Sequence, residues 1–170
     1  VPPGNPSVGD GISGSATWAP WWTTASGSCD GFVPHVDPVT AGLCISTAHT
    51  CVTVPVTFTT GGGTPTRAAS VTFRLDGGLT LCGTPSASVV QGTWLSSYSS
   101  QYWVTDNGDG SYTVDQAING LPCGATTGGQ LFTIALTGAS DGTGIVTITD
   151  VAVRDCDNAA LPGVAGAPGT

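Results

Sequence analysis

The sequence contains no methionine, no lysine and no glutamate, three of the residues that form helices most readily. Threonine and valine, which favour strands, and 26 glycines and 12 prolines, which favour turns, take their place. The 39% of apolar residues and the five tryptophans are nevertheless more than a disordered chain carries. The composition therefore predicts a folded all-β protein, and 170 residues are enough to bury a sizeable core.

Positive charge is scarce as well. Eleven aspartates are opposed only by Arg67, Arg74 and Arg154, and the formal net charge is −8. Because three scattered cations cannot neutralise a run of phosphates, nucleic acid and anionic membrane surfaces are excluded as partners. No apolar run approaches the about 18 residues that a membrane helix needs, so we expect no membrane insertion.

Recognised catalytic motifs are also missing. Neither G-x-S-x-G nor H-E-x-x-H occurs, and His35 and His49 are the only histidines available as a base. Most aspartates lie at predicted turns, where aspartate is common for conformational reasons. No motif indicates a cofactor. We therefore predict that the protein is not an enzyme; an activity that depends on one aspartate is the remaining alternative.

The cysteines show no C-x-x-C pair, which zinc sites usually contain. A disulfide framework is therefore expected, and it predicts a secreted or extracellular protein, including one held at the cell surface. Sequence alone leaves about 15 pairings open. We expect Cys44–Cys51, Cys82–Cys123 and Cys29–Cys156. The chain starts at Val1 without methionine or a charged leader, which is typical of a protein whose signal peptide has been removed.

The clearest strand pattern lies near the end of the chain. Apolar residues alternate over 131–137, and residues 140–144 supply a glycine-rich turn. In the return strand Val146 and Ile148 share a face, but the apolar pattern then slips by one residue near 149–150. Such a slip predicts a β-bulge, and the two strands are expected to pair as a closing hairpin.

Further strands are predicted upstream. Pro55 cannot donate a ladder hydrogen bond, so the strand that contains it is expected to lie at an edge, at least locally. Residues 106–110, D-N-G-D-G, are the strongest hairpin turn; a calcium loop is less consistent with them because glycine occupies two ligand positions. The count fits a two-sheet jelly-roll sandwich of about eight or nine strands. The upstream strands are 32–39, 51–59, 70–75, 79–82, 88–95, 102–105 and 111–118.

Two of these segments resemble a known family. The run V-T-I-T-D-V-A-V-R-D at 146–155, followed by a loop with asparagine, is similar to the closing strands of cohesin-like domains. C-V-T-V-P-V-T-F at 51–58 is similar to their opening strand. Those domains are jelly-roll sandwiches related in architecture to family 3 carbohydrate-binding modules. The resemblance covers about residues 40–163 and implies a sheet face that receives a small calcium-bearing dockerin partner or a polysaccharide.

The chain outside that core divides into two extensions. Residues 1–30 are predicted to form an extended N-terminal arm, residues 31–163 the sandwich, and residues 164–170 a Pro/Gly-rich tail without a packing pattern. Trp18, Trp21 and Trp22 lie in the arm. They are interpreted either as a cover over the sandwich of the same chain or as anchors that dock into another subunit; stacking on sugar rings is the third interpretation.

A possible cation site follows the last long strand. Asp155, Asp157 and Asn158 alternate so that carboxylate and amide oxygens can converge on calcium. A capped turn without metal is the competing interpretation and is favoured, because aspartate and asparagine commonly cap turns through their own side chains.

The leading functional hypothesis is a non-catalytic extracellular structural subunit. It would self-assemble into a filament or surface lattice by β-strand addition through its arm, because the edges carry no lysine to guard them. The alternative is a secreted cohesin-like binding module for a dockerin-type partner or a polysaccharide.

Overall fold

The computed structural model describes residues 35–38, 45, 50–60, 63–139 and 142–169. Within them lie eleven strands and one helical turn, α1 (Pro85–Ser88). The predicted all-β jelly-roll sandwich is confirmed. There are more strands than predicted, because the two-residue strands β10 and β11 are too short to show alternation of apolar and polar residues. The strands are β1 (His35–Pro38), β2 (Val52–Thr59), β3 (Thr66–Asp76), β4 (Leu79–Leu81), β5 (Val89–Gln91), β6 (Ser100–Asp106), β7 (Ser111–Ile118), β8 (Gly129–Gly138), β9 (Ile145–Asp155), β10 (Ala160–Leu161) and β11 (Val164–Ala165).

The strands form two sheets. Sheet A has the order β11-β1-β2-β8-β4, and β5 also pairs with β8. Sheet B has the order β10-β9-β3-β7-β6. The strand pairs of both sheets are antiparallel except β1 with β11.

The core lies between the two sheets. Phe73 of β3 contacts Phe132 of β8 across the sandwich, with ring centroids 5.7 Å apart. Trp94 packs on Phe58 at 4.6 Å and donates its indole N–H to the carbonyl of Thr127 at 2.9 Å. Since alternate residues of each long strand point inward, the other face of each sheet is left for solvent or a partner.

The predicted closing hairpin is wrong. Strand β8 belongs to sheet A and β9 to sheet B, so the turn between them carries the chain from one sheet to the other. The predicted bulge is confirmed: Phe73 pairs with Ile148 and Thr72 with Asp150, which leaves Thr149 as the extra residue. Alternation identifies the inward face of a strand but says nothing of its neighbour, which is why only the bulge was predictable.

Strand β2 is not an edge strand along its whole length. It lies between β1 and β8, but the pairing with β1 ends where Pro38 opposes Val56. Among the described residues, Pro55 is paired with β8 alone, through Thr133. In the part of the chain that the structure describes, the expected local edge is present at the proline, while the second half of the strand lies inside the sheet.

The hairpin of β6 and β7 forms as predicted. Gly108 and Gly110 adopt φ of +80° and +83°, the left-handed region that favours glycine. Asp106 accepts a hydrogen bond from the Gly108 N–H at 2.9 Å. Asp109 accepts one from the Ser111 hydroxyl at 2.6 Å and one from its N–H at 3.0 Å, and these bonds lower the pKa of Asp109. The aspartates of this loop thus serve the turn.

Two disulfides are present among the described residues, Cys51–Cys82 and Cys123–Cys156. The disulfide framework is confirmed for these four cysteines. All three predicted pairings are wrong, and Cys29 and Cys44 lie outside the described residues.

Sheet geometry explains the Cys51–Cys82 pairing. Strands β2 and β4 both pair with β8, and Val52 and Leu81 oppose the same residue, Leu136. The two cysteines next to them therefore approach with Cα atoms 6.1 Å apart, within bonding range. Cys44 is closer to Cys51 along the chain, but closeness along the chain does not decide which cysteines the sheet brings together.

The C-terminal segment, expected to lack packing, belongs to the sandwich. Strand β11 runs parallel to β1, and the Gly166 N–H donates to the carbonyl of Val36 at 2.8 Å. Gly169 and Val146 then exchange two backbone hydrogen bonds, at 2.8 and 2.9 Å. The segment therefore joins β1 of sheet A to β9 of sheet B and closes one side of the sandwich. This pairing is made by the main chain, so side-chain patterns did not predict it.

Candidate functional site

The outward surface of sheet B is the candidate site, and we call it the Trp103 face. It is formed by four neighbouring strands, β6, β7, β3 and β9. One row across it places Trp103 opposite Asp115, Asp115 opposite Ser70, and Ser70 opposite Ala152. The adjacent row consists of Thr105, Thr113, Thr72 and Asp150.

Small side chains make the middle of this face flat. Around Asp115 the outward residues of β3 and β7 are alanine, serine and threonine, with Arg74 at the end of β3, while Val71, Phe73 and Val114 are buried on the inner side. The hydroxyls of Thr72 and Thr113 lie 3.0 Å apart and share a hydrogen bond. Because these hydroxyls bond within the face, their rotamers are held before any partner arrives.

Trp103 is the large side chain of the face and is 51% exposed. Its strand is fixed from the inner side, where the Tyr102 hydroxyl donates to the carbonyl of Val89 at 3.0 Å. The Gln91 side chain donates to the Ser100 hydroxyl at 3.2 Å, again linking β5 to β6. Burial raises the pKa of Tyr102, so this donor stays protonated at neutral pH. The indole is therefore displayed on a rigid strand.

Asp115 lies in the middle of the face, between Trp103 and Ser70. Its side chain is half-buried, and it makes no hydrogen bond or ion pair with the part of the chain that the structure describes. No arginine pairs with this carboxylate, although Arg74 of β3 and Arg154 of β9 lie at other register positions of the same face. Arg67 donates to the carbonyls of Ile118 and Cys156, Arg74 pairs with Asp76 at 3.3 Å, and Arg154 donates to the carbonyl of Asn158.

The outward surface of sheet A differs in chemistry. Its strands β2, β4, β5 and β8 present threonine, alanine, proline, glutamine and valine and no charged side chain. Val90 of β5 is 51% exposed there, the same fraction as Trp103. Over these four strands, the face therefore lacks the charged side chains of the Trp103 face and carries a smaller exposed anchor.

Cohesin modules are among the solved structures of similar fold. A cohesin module of a family 33 glycoside hydrolase from Clostridium perfringens aligns with a TM-score of 0.61 and 12% identity, over 81% of this chain and 94% of that one. A non-cellulosomal cohesin from Archaeoglobus fulgidus aligns with a TM-score of 0.52 and 15% identity, over 70% and 78%. A type II cohesin–X-dockerin complex from Acetivibrio cellulolyticus aligns with a TM-score of 0.60 and 8% identity, over 80% of this chain and 96% of that one.

The chain folds as a cohesin-like β-sandwich. This confirms the resemblance drawn from the closing and opening strands. No family model and no curated protein matches the sequence, so the likeness lies in the fold.

The residues of the predicted cation site of this cohesin-like sandwich lie in a turn capped by one of their own side chains. One carboxylate oxygen of Asp155 accepts the N–H groups of Asp157 and Ala159, at 3.0 and 2.8 Å. Asn158 adopts φ of +64°, which asparagine tolerates better than most residues. Within the described ranges, no three histidine, cysteine or acidic side chains are grouped to hold a metal. Calcium binding by Asp155, Asp157 and Asn158 stays a prediction.

Other predicted residues fall outside the described part. Trp18, Trp21 and Trp22 do so together with the whole arm, 1–30, and their role as anchors stays a prediction. His49 is also outside it, and the His35 side chain is not described. No helix of the described ranges is long and apolar enough to span a membrane.

Sequence reasoning did not single out Trp103 or Asp115. The signal was present, because a strand that turns Tyr102 inward must turn Trp103 outward. Likewise, burial of Val114 and Ile118 requires Asp115 to face solvent. An aromatic residue on the polar face of a strand is the pattern that would have identified the site.

Proposed function

We propose that this chain is a non-catalytic binding module whose Trp103 face receives a dockerin-type protein domain. The observation that carries the proposal is a flat, pre-formed face with a half-exposed tryptophan on a rigid strand. Among the structures of similar fold, one is a type II cohesin–X-dockerin complex from Acetivibrio cellulolyticus and another a type I cohesin–dockerin complex from Clostridium thermocellum. The cohesins of these complexes share the fold with this chain at only 8% and 13% sequence identity. A dockerin partner for this chain is therefore our proposal.

The Trp103 face offers more binding energy to a partner than the opposite face. Tryptophan is among the residues most enriched at interface hot spots, because it buries a large apolar area at a small entropic cost. A standard interface buries about 800 Å² on each partner, which requires a surface of several strands. The outward face of sheet A has Val90 as its exposed anchor, which offers much less area.

The proposed location is extracellular, including the cell surface. Two disulfides are present among the described residues, and disulfides persist in oxidising compartments.

Binding of the full chain to a panel of purified dockerin domains, measured by calorimetry, tests the proposal. We expect Trp103→Ala to weaken binding by about 30-fold or more, the loss typical of a hot-spot residue. Val90→Ala, at an equally exposed site on the other face, should change binding by less than about threefold.

The opposite ranking of the two variants would place the docking face on sheet A. Absence of binding by every dockerin domain would contradict the proposed partner. Retention of the monomer on insoluble polysaccharide, in a parallel pull-down, would support a polysaccharide partner instead.

Self-association through the arm is the second candidate. Strand β6 is an edge strand of seven residues, and the chain contains no lysine to guard it. The other described edges, β4, β5, β10 and β11, are only two or three residues long, which limits strand addition to them. Light scattering of the full chain and of a variant without residues 1–28 tests this candidate. Assembly that the deletion abolishes supports it, and a monomer in both forms contradicts it.

A further inference from the structure

Trp103 and Asp115 form a directly opposed pair on neighbouring strands. In an antiparallel sheet, such pairs have Cβ atoms about 4.5–5.5 Å apart and share one face. The indole and the carboxylate are therefore close enough to contact one ligand group together.

The carboxylate of this pair lacks a cation. Asp115 is half-buried and makes no hydrogen bond or ion pair within the described ranges. The arginines of the same face lie at other register positions, Arg154 two strands away and donating to the carbonyl of Asn158, and Arg74 paired with Asp76. Desolvating an unpaired charge further is costly, so a partner that covers this face has to compensate it. Asp150 of β9 lies exposed in the adjacent row of the same face and adds negative potential.

We propose that the docking partner presents an arginine that stacks on Trp103 and pairs with Asp115. The proposal rests on the proposed function and names the chemistry of its partner. A guanidinium group is planar, stacks on aromatic faces and binds a carboxylate through two parallel hydrogen bonds, so one arginine satisfies both side chains. Lysine is a point charge and satisfies the pair less well.

Charge favours a cationic protein over a neutral glycan on this face. A sugar ring stacks on an exposed tryptophan, but it brings no cation to a carboxylate that the interface would bury. The net charge of −8 attracts a cationic surface from a distance, so association is expected to slow as ionic strength rises.

The first experiment uses a dockerin domain that binds the full chain. Asp115→Asn should weaken binding by about 10- to 100-fold and flatten its dependence on salt. Asp150→Asn, an exposed acid on the same face, should change binding by less than about threefold. Circular dichroism checks that both isosteric variants fold.

Replacing each arginine of that dockerin by lysine locates the proposed contact. One replacement should weaken binding to the wild type about tenfold and have little further effect on Asp115→Asn, the coupling expected of a direct pair. If Asp115→Asn binds like the wild type while Trp103→Ala does not, the proposal is overturned and the docking face stands.

A second experiment does not depend on a dockerin. Hexa-arginine and hexa-lysine peptides are titrated at low salt into the wild type and Asp115→Asn. We expect tighter binding of hexa-arginine, by about tenfold, and its loss in the variant. Equal binding of both peptides by both proteins overturns the proposal. Binding of cellohexaose that requires Trp103 but not Asp115 overturns it in favour of a glycan.

Discussion

Among the described residues, Gln116 has a buried side-chain oxygen without a hydrogen-bond partner. It is 1% exposed on the inner side of β7, and its amide N–H donates to the carbonyl of Leu131 at 2.6 Å. The Leu131 carbonyl also accepts the Gly92 N–H at 2.8 Å, so it would stay bonded without the glutamine.

We expect the free energy of unfolding of Gln116→Leu to lie within about 1 kcal/mol of the wild-type value, because the change removes one hydrogen bond and one unsatisfied oxygen together. Gln116→Glu should be less stable by about 2–3 kcal/mol at pH 7, because it buries a carboxylate. Burial raises the pKa of that carboxyl, so the glutamate variant should be most stable below about pH 4 and lose stability as the pH rises. Urea unfolding at pH 4 and pH 7 measures both. If the leucine variant were less stable than the glutamate variant at pH 7, this account would be wrong.

Tyr102 connects two strands that belong to different sheets. From β6 of sheet B its hydroxyl reaches the carbonyl of Val89 in β5 of sheet A. Burial raises the pKa of this hydroxyl above its usual value. The stability that the neutral form contributes is therefore complete below the unfolded pKa of about 10 and is lost as the pH rises above it.

Tyr102→Phe should cost about 1 kcal/mol at pH 7, the contribution of one hydrogen bond. Above about pH 10 the wild type should lose stability faster than the variant, so the difference narrows. Tyr98→Phe is the control, because the Tyr98 hydroxyl makes no hydrogen bond with the described residues. The pKa of Tyr112 is also raised, but Tyr112 is present in all three proteins, so its effect on stability cancels when they are compared. A constant difference between pH 7 and 11 would show that the tyrosine hydroxyl is not buried in solution.

The disulfides tie strand ends together at two places. Cys51–Cys82 closes a separation of 31 residues and Cys123–Cys156 one of 33. Chain entropy predicts a contribution of about 3–4 kcal/mol for each, and nearly the same for both. Replacing either pair by serine should lower the free energy of unfolding by that amount in guanidinium titrations. Peptide mapping without reductant checks the pairing, and a Cys44–Cys51 peptide would contradict it.

At the level of the complete sandwich, the C-terminal segment decides how one side is closed. It bonds to Val36 in one sheet and to Val146 in the other, and both residues are buried. Most of its own side chains are small, and Val164 is 47% exposed. The segment therefore stabilises the fold mainly through main-chain hydrogen bonds and by covering the residues beneath it.

Removal of residues 163–170 should destabilise the protein by about 2–4 kcal/mol, since it breaks several backbone bonds of about 0.5–1.5 kcal/mol each. Val164→Ala keeps those bonds and should cost less than about 1 kcal/mol. Thermal and urea unfolding compare the three proteins. Equal stability of the truncated and full chains would mean that the segment does not pair with β1 in solution.

The strands, the bulge at Thr149 and the hairpin at 106–110 could be predicted because each leaves a local trace in the chain. Alternation marks inward residues, a slip in alternation marks an extra residue, and Asn-Gly or Asp-Gly marks a tight turn. The pairing of Cys51 with Cys82 left no such trace. It depends on β2 and β4 both lying next to β8, and no nearby residue records that.

The amino-acid order was therefore sufficient for the all-β class, the inner face of each long strand, the acidic surface and the use of disulfides. These follow from side-chain period, propensity and charge, which act over a few residues. The three-dimensional fold was needed to assign strands to sheets, to bring the C-terminal segment onto the sandwich and to set Trp103 beside Asp115. Those features depend on register between strands far apart in the chain, which main-chain hydrogen bonds and the packing of the whole core select together.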